Sequence, residues 1–181
     1  IPVEEASQLY EVLGEEGTYP HYPMGWASAS NTPFKMYKQY AHLGGVADPL
    51  IVSWPKGIAA QGELRDNFVH VVDLFPTLLE ATGVERPTVY KGQPQKPIEG
   101  QSVLPTFSKP ESPTRSEQYF ELGGHRAYME NNWRAVARHT RGKPFEDDVW
   151  ELYDLSKDPA EGTDLANQFP EVVERLKNKW L

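Results

Sequence analysis

The stretch EQYFELGGHRAYMENNWRAVAR, residues 117–138, predicts three short β-strands, EQYFEL, HRAYME and NWRAVAR. Asn131 and Asn132 are suited to a hairpin turn between the second and third strands. A fourth run rich in aromatic and aliphatic residues, VWELYDL, follows at residues 149–155. We therefore predict a small four-stranded antiparallel sheet in this part of the chain.

The last stretch, FPEVVERLKNKWL at residues 169–181, carries apolar side chains at helical spacing. Pro170 lies near its start, where a proline is tolerated. These features predict an amphipathic helix that covers one face of the sheet. We expect the core of residues 115–181 to be closed by Tyr119, Trp133, Val136, Trp150, Leu152, Leu176 and Trp180.

Upstream of the sheet, the sequence predicts two more strands. VADPLIVSW, residues 46–54, is a compact apolar run bounded by glycine and proline, which is typical of a buried strand. A second, shorter strand is predicted from Val69, Val71 and Val72.

A helix is predicted directly after these valines. Asp73 is expected to cap its start, Pro76 falls in its first turn, where the missing N–H costs little, and Gly83 is expected to end it. The apolar side chains expected to face a core are those of Leu74, Leu78 and Leu79.

The other segments have neither a helical nor an alternating apolar period. Residues 1–30 predict a long irregular loop after a short helix around Ser7 to Leu13, and residues 85–113 predict a surface connection rich in proline and glycine. We therefore divide the chain into three parts: 1–84, 85–114 and 115–181.

The composition excludes several classes of function. The net charge of −8, from 26 acidic and 18 basic residues, provides no field that would attract nucleic acid or an anionic membrane. The chain has no cysteine, which excludes disulfides, thiolate metal sites and cysteine nucleophiles. No apolar run approaches the roughly 20 residues of a membrane-spanning helix. We expect neither a nucleic-acid partner nor a membrane span.

The stretch NTPFKMYKQYAHLGG, residues 31–45, places Lys35 and Lys38 in a run of aromatic residues that ends on paired glycines. From the residues alone, both lysines are expected to lie in solvent, because exposed lysine is the norm. Gly44 and Gly45 can take a positive φ or allow two backbone segments to approach closely.

Four blocks of the sequence, taken in chain order, resemble the type I (formylglycine-dependent) sulfatases of the alkaline phosphatase superfamily. GWASASNTPFKMYK is similar to the loop that enters the sulfatase active site, and GGVADPLIVSWPKGI to the strand after it. HVVDLFPTLLEATGV is similar to the D-x-x-P-T-L-L helix of the superfamily, and WELYDLSKDPAEGTDLA to the hairpin and turn near the sulfatase C-terminus.

The resemblance implies an α/β fold. Residues 1–84 would be the end of a large mixed-sheet catalytic domain like that of alkaline phosphatase. Residues 85–114 would connect this domain to a C-terminal subdomain at 115–181, which would contain the antiparallel sheet and its helix.

The resemblance also implies a role for one of the two lysines. In the family, a lysine six residues before the first glycine of the pair contacts the sulfate, and Lys38 holds that position. Cleavage of a sulfate ester builds negative charge on the sulfuryl and leaving oxygens, and a fixed ammonium stabilises that charge. Lys35 is expected to be solvated.

Three further residues are candidates for contacts with the substrate. Asn31 opens the loop, and His42, four residues after Lys38, could approach the substrate or serve as a packing and hydrogen-bonding residue. Trp26, with Tyr22 and Phe34, could form an apolar wall for the organic part of the substrate, or could cover the domain surface. Leu43 and Ala47 stand where the family commonly has glutamate and arginine, so the subfamily and the substrate are not defined.

The resemblance implies a catalytic nucleophile and a calcium ion, but this sequence contains the motif for neither. The family's nucleophile is a formylglycine made from Cys or Ser in C/S-x-P-x-R, and its calcium is bound by acidic residues near the N-terminus and by an Asp-Asn pair ahead of the loop. Asp66 and Asn67 form an Asp-Asn pair, but they lie downstream of the loop and are expected to be structural.

We therefore expect the chain to be the C-terminal part of a sulfatase, inactive alone and binding no metal. Calcium and formylglycine would belong to the full-length enzyme, and the missing N-terminal part of the same protein would be the partner of this chain. The substrate would be a sulfate ester, and the location periplasmic or extracellular.

Two alternatives stay open. The chain could be part of a phosphonate or phosphate monoester hydrolase of the same superfamily, which would share the cation and the calcium. It could also be a non-catalytic sugar-binding or interaction module that keeps this fold.

Overall fold

The computed structural model describes residues 3–8, 10–12, 14–17, 23–59 and 62–181. The helices within these residues are α1 (Val3–Gln8), α2 (Met24–Ser30), α3 (Leu43–Val46), α4 (Leu74–Thr82) and α5 (Pro170–Trp180). The strands are β1 (Val89–Tyr90), β2 (Gln93–Pro94), β3 (Glu117–Leu122), β4 (His125–Glu130), β5 (Trp133–Ala137) and β6 (Trp150–Asp154). Short 3₁₀ helices occupy Tyr10–Val12, Val71–Asp73, Leu104–Phe107 and Phe145–Asp147.

The predicted four-stranded antiparallel sheet is confirmed, with its strands in the order β3-β4-β5-β6. Glu130 pairs with Trp133 across a two-residue turn formed by Asn131 and Asn132. Asn131 has a φ of 54°, the left-handed conformation that such a turn requires and that asparagine tolerates. The local sequence pattern was therefore sufficient to predict this hairpin.

The C-terminal helix α5 covers one face of the sheet, as predicted. Val173 and Leu176 of α5 pack against Ala135, Trp150 and Leu152 of the sheet. Trp133 and Trp180 are partly buried against the same cluster. This face is the main apolar core of the described chain.

Of the residues predicted for this core, one lies on the other face of the sheet and one lies at the exposed edge. Val136 is fully buried, but on the opposite face of the sheet, where it contacts Ala41 and Ala127. This is the period-two alternation of a strand, which places Val136 and Ala135 on different faces. Tyr119 lies on the edge strand β3 and is 46% exposed, with its ring stacked on Trp180 at 5.3 Å. Ala41 thus brings the lysine-containing loop onto the second face of the sheet.

Helix α4 matches its prediction at both ends, with Pro76 in the first turn and Gly83 closing the helix at a φ of 68°. Asp73 occupies the N-cap position of α4, as predicted, but its side chain makes no capping bond to this helix. The buried Asp73 carboxylate instead accepts hydrogen bonds from the His70 and Gln101 backbone N–H groups and from Arg115. Asp73 therefore joins α4 to the connecting segment.

Two predictions for this region are wrong. Val71 and Val72 belong to a 3₁₀ helix rather than to a strand, because Asp73 and His70 form a capping box that turns the chain there. Leu78 is 62% exposed rather than buried.

The strand predicted for residues 46–54 is absent from the described structure. Leu43–Val46 is a short helix, and residues 47–54 are irregular. An extended run becomes a strand only when a neighbouring strand takes up its N–H and C=O groups, and residues 48–53 have no backbone hydrogen bond to any described segment. Their apolar side chains are accordingly open to solvent, with Ile51 90% exposed.

The N-terminal helix lies earlier than predicted, at Val3–Gln8 rather than Ser7 to Leu13. A 3₁₀ turn follows it, and Leu13 lies outside the described residues. The connection at 85–113 contains the small β1–β2 hairpin and the 3₁₀ helix Leu104–Phe107. None of the helices in the described ranges has the length and apolar character needed to cross a lipid bilayer.

Candidate functional site

The loop at residues 31–45 is closed by its first residue. Asn31 Nδ2 donates to the carbonyl oxygens of Met36, at 3.2 Å, and of Gly44, at 2.6 Å. The Gly44 N–H in turn donates to the Lys35 carbonyl at 2.9 Å. Asn31 was predicted as a substrate-binding residue, but its side-chain amide donates its hydrogen bonds to the loop backbone.

The paired glycines are required by close packing of the backbone. A Cβ atom on Gly44 would lie closer than 3.0 Å to the Lys35 and Met36 carbonyl oxygens, and one on Gly45 would lie as close to the Tyr40 carbonyl. Neither glycine has a positive φ. Of the two roles considered from the sequence, close approach is therefore the one observed.

Lys35 is held by the C-terminal sheet, so the expectation of a solvated side chain is wrong. Its Nζ lies 3.1 Å from Glu151 Oε2 and 2.8 Å from the Tyr153 hydroxyl. It also lies 5.3 Å from the centre of the Tyr153 ring. The spacing of charges along the loop could not reveal this pair, because Lys35 and Glu151 are 116 residues apart.

His42 is buried beside the same carboxylate, with its Nε2 2.9 Å from Glu151 Oε2. The Tyr153 hydroxyl donates to this oxygen at 2.6 Å. The hydrogen bond from His42, with those from Tyr153 and Lys35, lowers the pKa of Glu151 to about 2 against the opposing effect of burial. Burial and the Glu151 charge raise the pKa of Tyr153 far above its usual range. The result is an ionised glutamate that accepts bonds from neutral and cationic donors.

A second buried pair fixes the next part of the loop. Arg134 of β5 and Glu161 form an ion pair with 3.0 Å between Nε and Oε1, and both side chains are fully buried. Arg134 also donates to the Ala41 carbonyl, and Glu161 Oε2 accepts from the Leu43 N–H at 2.8 Å. Residues 41–43 are thereby attached to the sheet through their backbone.

Lys38 differs from Lys35 in its surroundings. Its side chain is exposed, and no hydrogen bond or ion pair with the described residues engages its ammonium group. Gln39, directly after Lys38, has a φ of 89°, and Met36, two residues before Lys38, has a φ of 65°. A left-handed backbone is unfavourable for both residues, so the bonds that hold the loop must impose this shape.

The predicted site residues are not brought into one pocket. Trp26 lies on α2 and is 67% exposed, while Tyr22, its predicted neighbour, lies outside the described residues. A cleft of about 970 Å³ borders the loop at Phe34 and Leu43, but Lys38, His42, Asn31 and Trp26 do not line it.

No described residues form a metal site: within the described ranges, no three His, Asp or Glu side chains lie close enough together to bind a metal ion. Asn67 donates to the Pro110 carbonyl at 3.1 Å, which is a structural contact. The described residues thus offer no cluster of carboxylates of the kind that typically binds calcium.

Glu151, Glu161 and Arg134 were not singled out from the sequence. Glu151 and Glu161 belong to the WELYDLSKDPAEGTDLA block, so the resemblance of that block was the one available signal. Their partners lie on another part of the chain, and only the fold brings them together.

Comparisons with known proteins agree with this architecture. Residues 35–181 match the family model described as N-sulphoglucosamine sulphohydrolase, C-terminal. An uncharacterized sulfatase of Schizosaccharomyces pombe is 31% identical over 183 residues, which cover 99% of this chain and 32% of that protein. Arylsulfatase K of Xenopus laevis is 30% identical over 151 residues, 80% of this chain and 27% of that protein.

Solved structures share the fold at lower identity. A structure reported from work on the metabolism of multiple glycosaminoglycans by Bacteroides thetaiotaomicron superposes with a TM-score of 0.60 at 22% identity. The match covers 78% of this chain and 30% of that one. The chain thus spans about a third of the length of the proteins it matches. It belongs to the N-sulphoglucosamine sulphohydrolase C-terminal family, which is the C-terminal region of sulfatases.

Proposed function

We propose that this chain is the C-terminal portion of a sulfatase that hydrolyses sulfate esters to an alcohol and inorganic sulfate, and that Lys38 is its ligand for the sulfate group. The observation that carries the proposal is the contrast between the two lysines of the loop. Lys35 is paired with Glu151, whereas Lys38 is exposed and has no partner among the described residues. Of the two lysines, Lys38 is therefore the one whose charge is not already compensated by a carboxylate in the described part of the chain.

The chemistry of the reaction requires a fixed cation. Negative charge grows on the sulfuryl and leaving oxygens as the S–O bond breaks, and an ammonium aimed at that charge stabilises the transition state. Loss of one such preorganised donor typically costs about 3 kcal/mol. The tethered loop supports this role, because a backbone held in one conformation reduces the reorganisation needed to bring the ammonium group to the sulfate.

The remaining catalytic groups would come from outside these residues. The chain has no cysteine and its described residues contain no cluster suited to a metal. We propose that formylglycine and calcium belong to the N-terminal part of the same enzyme, and that the 181-residue chain alone does not turn over a sulfate ester. We also propose a periplasmic or extracellular location, on the basis of the resemblance to the sulfatases.

The test measures kcat/KM of the whole protein that contains this chain for three substrates. 4-Nitrophenyl sulfate, 4-nitrophenyl phosphate and 4-nitrophenyl phenylphosphonate all release 4-nitrophenol, so differences in kcat/KM report the preference for the transferred group. We expect the sulfate ester to be the preferred substrate. A preference for the phosphonate would favour the phosphonate monoester hydrolase reading, and no turnover of any of the three would favour a non-catalytic module.

A further inference from the structure

One oxygen atom of Glu151 accepts hydrogen bonds from both flanks of the loop that contains Lys38. Lys35, three residues before Lys38, lies 3.1 Å from Glu151 Oε2, and His42, four residues after it, lies 2.9 Å from the same atom. Glu151 itself is the second residue of β6, where it pairs with Val136 of β5. A rigid part of the fold therefore fixes the separation of the two flanks.

The segment between these flanks needs such a constraint. Met36 and Gln39 both have a positive φ, which costs energy for residues other than glycine and persists only where the surroundings impose it. Lys38 lies between them and makes no contact of its own that would fix its position. The position of its ammonium group therefore depends on how the flanks are held.

We propose that Glu151 is a positioning residue for Lys38. It acts through Lys35 and His42, which set the shape of the loop, and it does not itself touch the sulfate. This inference rests on the proposed role of Lys38 as a sulfate ligand. Small displacements of a binding group matter, since a misplacement of about 1 Å can cost a hundredfold in rate.

The surroundings of Glu151 keep its carboxylate ionised, so that it can accept the hydrogen bonds from both flanks of the loop. The His42 hydrogen bond and the neighbouring Lys35 and Tyr153 donors keep the pKa of Glu151 near 2. The carboxylate is therefore ionised at neutral pH. Tyr153 helps to orient it, because its hydroxyl donates to Oε2 and accepts from Lys35.

The tether can be tested without any enzymatic activity. The chain has no cysteine, so Lys38→Cys provides a unique site for a nitroxide spin label. In the 181-residue chain, we expect Glu151→Gln to sharpen the electron paramagnetic resonance spectrum of this label, because the loop becomes mobile. Glu146→Gln, on the exposed tip of the β5–β6 hairpin, should leave the spectrum unchanged. Lys35→Met removes one of the two anchors and should give a spectrum between those of the wild type and Glu151→Gln. It also serves as the test if Glu151→Gln does not fold.

The consequence for function is tested in the whole sulfatase with a double-mutant cycle. Glu151→Gln is expected to lower kcat/KM for an aryl sulfate by roughly tenfold to a hundredfold, but to have almost no further effect when Lys38 is already alanine. If Glu151 acted independently of Lys38, Glu151→Gln would lower kcat/KM by the same factor, within about twofold, whether residue 38 is lysine or alanine. This result would overturn the proposal.

The two tests separate this inference from the proposed function. An unchanged label spectrum in both Glu151→Gln and Lys35→Met would overturn the tether, whatever Lys38 does in catalysis. Full activity of Lys38→Ala would overturn the role of Lys38, and with it the function assigned to Glu151, even if the spectrum shows that the loop is tethered.

Discussion

Arg134 and Glu161 form an ion pair from which solvent is excluded: Nε lies 3.0 Å from Oε1, and neither side chain has any exposed surface. The pair links β5 to the turn that follows β6, and each partner also bonds the backbone of residues 41–43. The charges are thus compensated, and the same contacts attach the lysine-containing loop to the sheet.

Replacement of Glu161 by glutamine should destabilise the chain strongly. The change leaves the Arg134 guanidinium buried without an anionic partner, which typically costs about 3–5 kcal/mol. Urea unfolding followed by tryptophan fluorescence measures the loss. Lys157→Ala is the control, since the lysine side chain of the Lys157–Asp154 pair is 82% exposed and an exposed ion pair contributes little to stability. Equal losses in the two variants would contradict a structural role for the buried pair.

Replacement of Gly44 by alanine should distort the loop. The new Cβ would lie within 3.0 Å of two backbone carbonyl oxygens, and backbone cannot move aside as a flexible side chain can. We expect a lower Tm and, in the whole enzyme, weaker binding of inorganic sulfate. Gly25→Ala on α2 meets nothing within 4 Å and should leave Tm unchanged or slightly raised. Gly44→Ala with native stability would show that the loop can open at this point.

The Glu151 carboxylate should make stability depend on pH in acid. Its pKa is lowered from 4.5 to about 2 in the folded chain, so the folded state binds its proton less tightly than the unfolded state. The stabilisation, about 3 kcal/mol at most, is fully present above pH 4.5 and is lost as the pH falls from 4.5 to 2. Tm should therefore differ between wild type and Glu151→Gln at pH 7, and the difference should shrink through this range. A difference that is constant with pH would exclude an ionised Glu151 as its cause.

Hydrogen exchange should divide the chain into a protected and an unprotected part. Amides of β5, β6 and α5 are hydrogen-bonded around the main core and should exchange slowly. Residues 48–53 have no backbone hydrogen bond to the described segments and should exchange fast. Strong protection of residues 48–53 in a monomeric sample would mean that this segment does pair as a strand, as its sequence predicts.

The parts of the fold that could be predicted are those determined by local pattern. The turn at Asn131 and Asn132, the start of α5 at Pro170 and the end of α4 at Gly83 depend on the conformational preferences of those residues. The prediction of a strand at 46–54 was wrong because a strand depends on a partner elsewhere in the chain and not on local pattern alone. The apolar, β-branched sequence of this segment favours a strand only where a neighbouring strand completes it.

The site could be predicted less completely than the fold. The proposed role of Lys38 comes from the family resemblance, in which its distance to the paired glycines is visible along the chain. The roles of Lys35 and His42 could not be predicted in this way, because both depend on Glu151, more than 100 residues away. A solvated lysine and a lysine paired across the fold have the same local sequence, so only the tertiary structure distinguishes them.

The proposed role of Lys38 is tested most directly by the effect of Lys38→Ala on the activity of the whole protein. We predict that kcat/KM for an aryl sulfate falls by roughly a hundredfold or more, while Tm stays unchanged because Lys38 makes no contact that stabilises the fold. Lys143→Ala, an exposed lysine on the β5–β6 hairpin, should leave both quantities unaltered. If Lys38→Ala retains the wild-type kcat/KM, or loses activity only in proportion to a loss of stability, Lys38 is not the sulfate ligand.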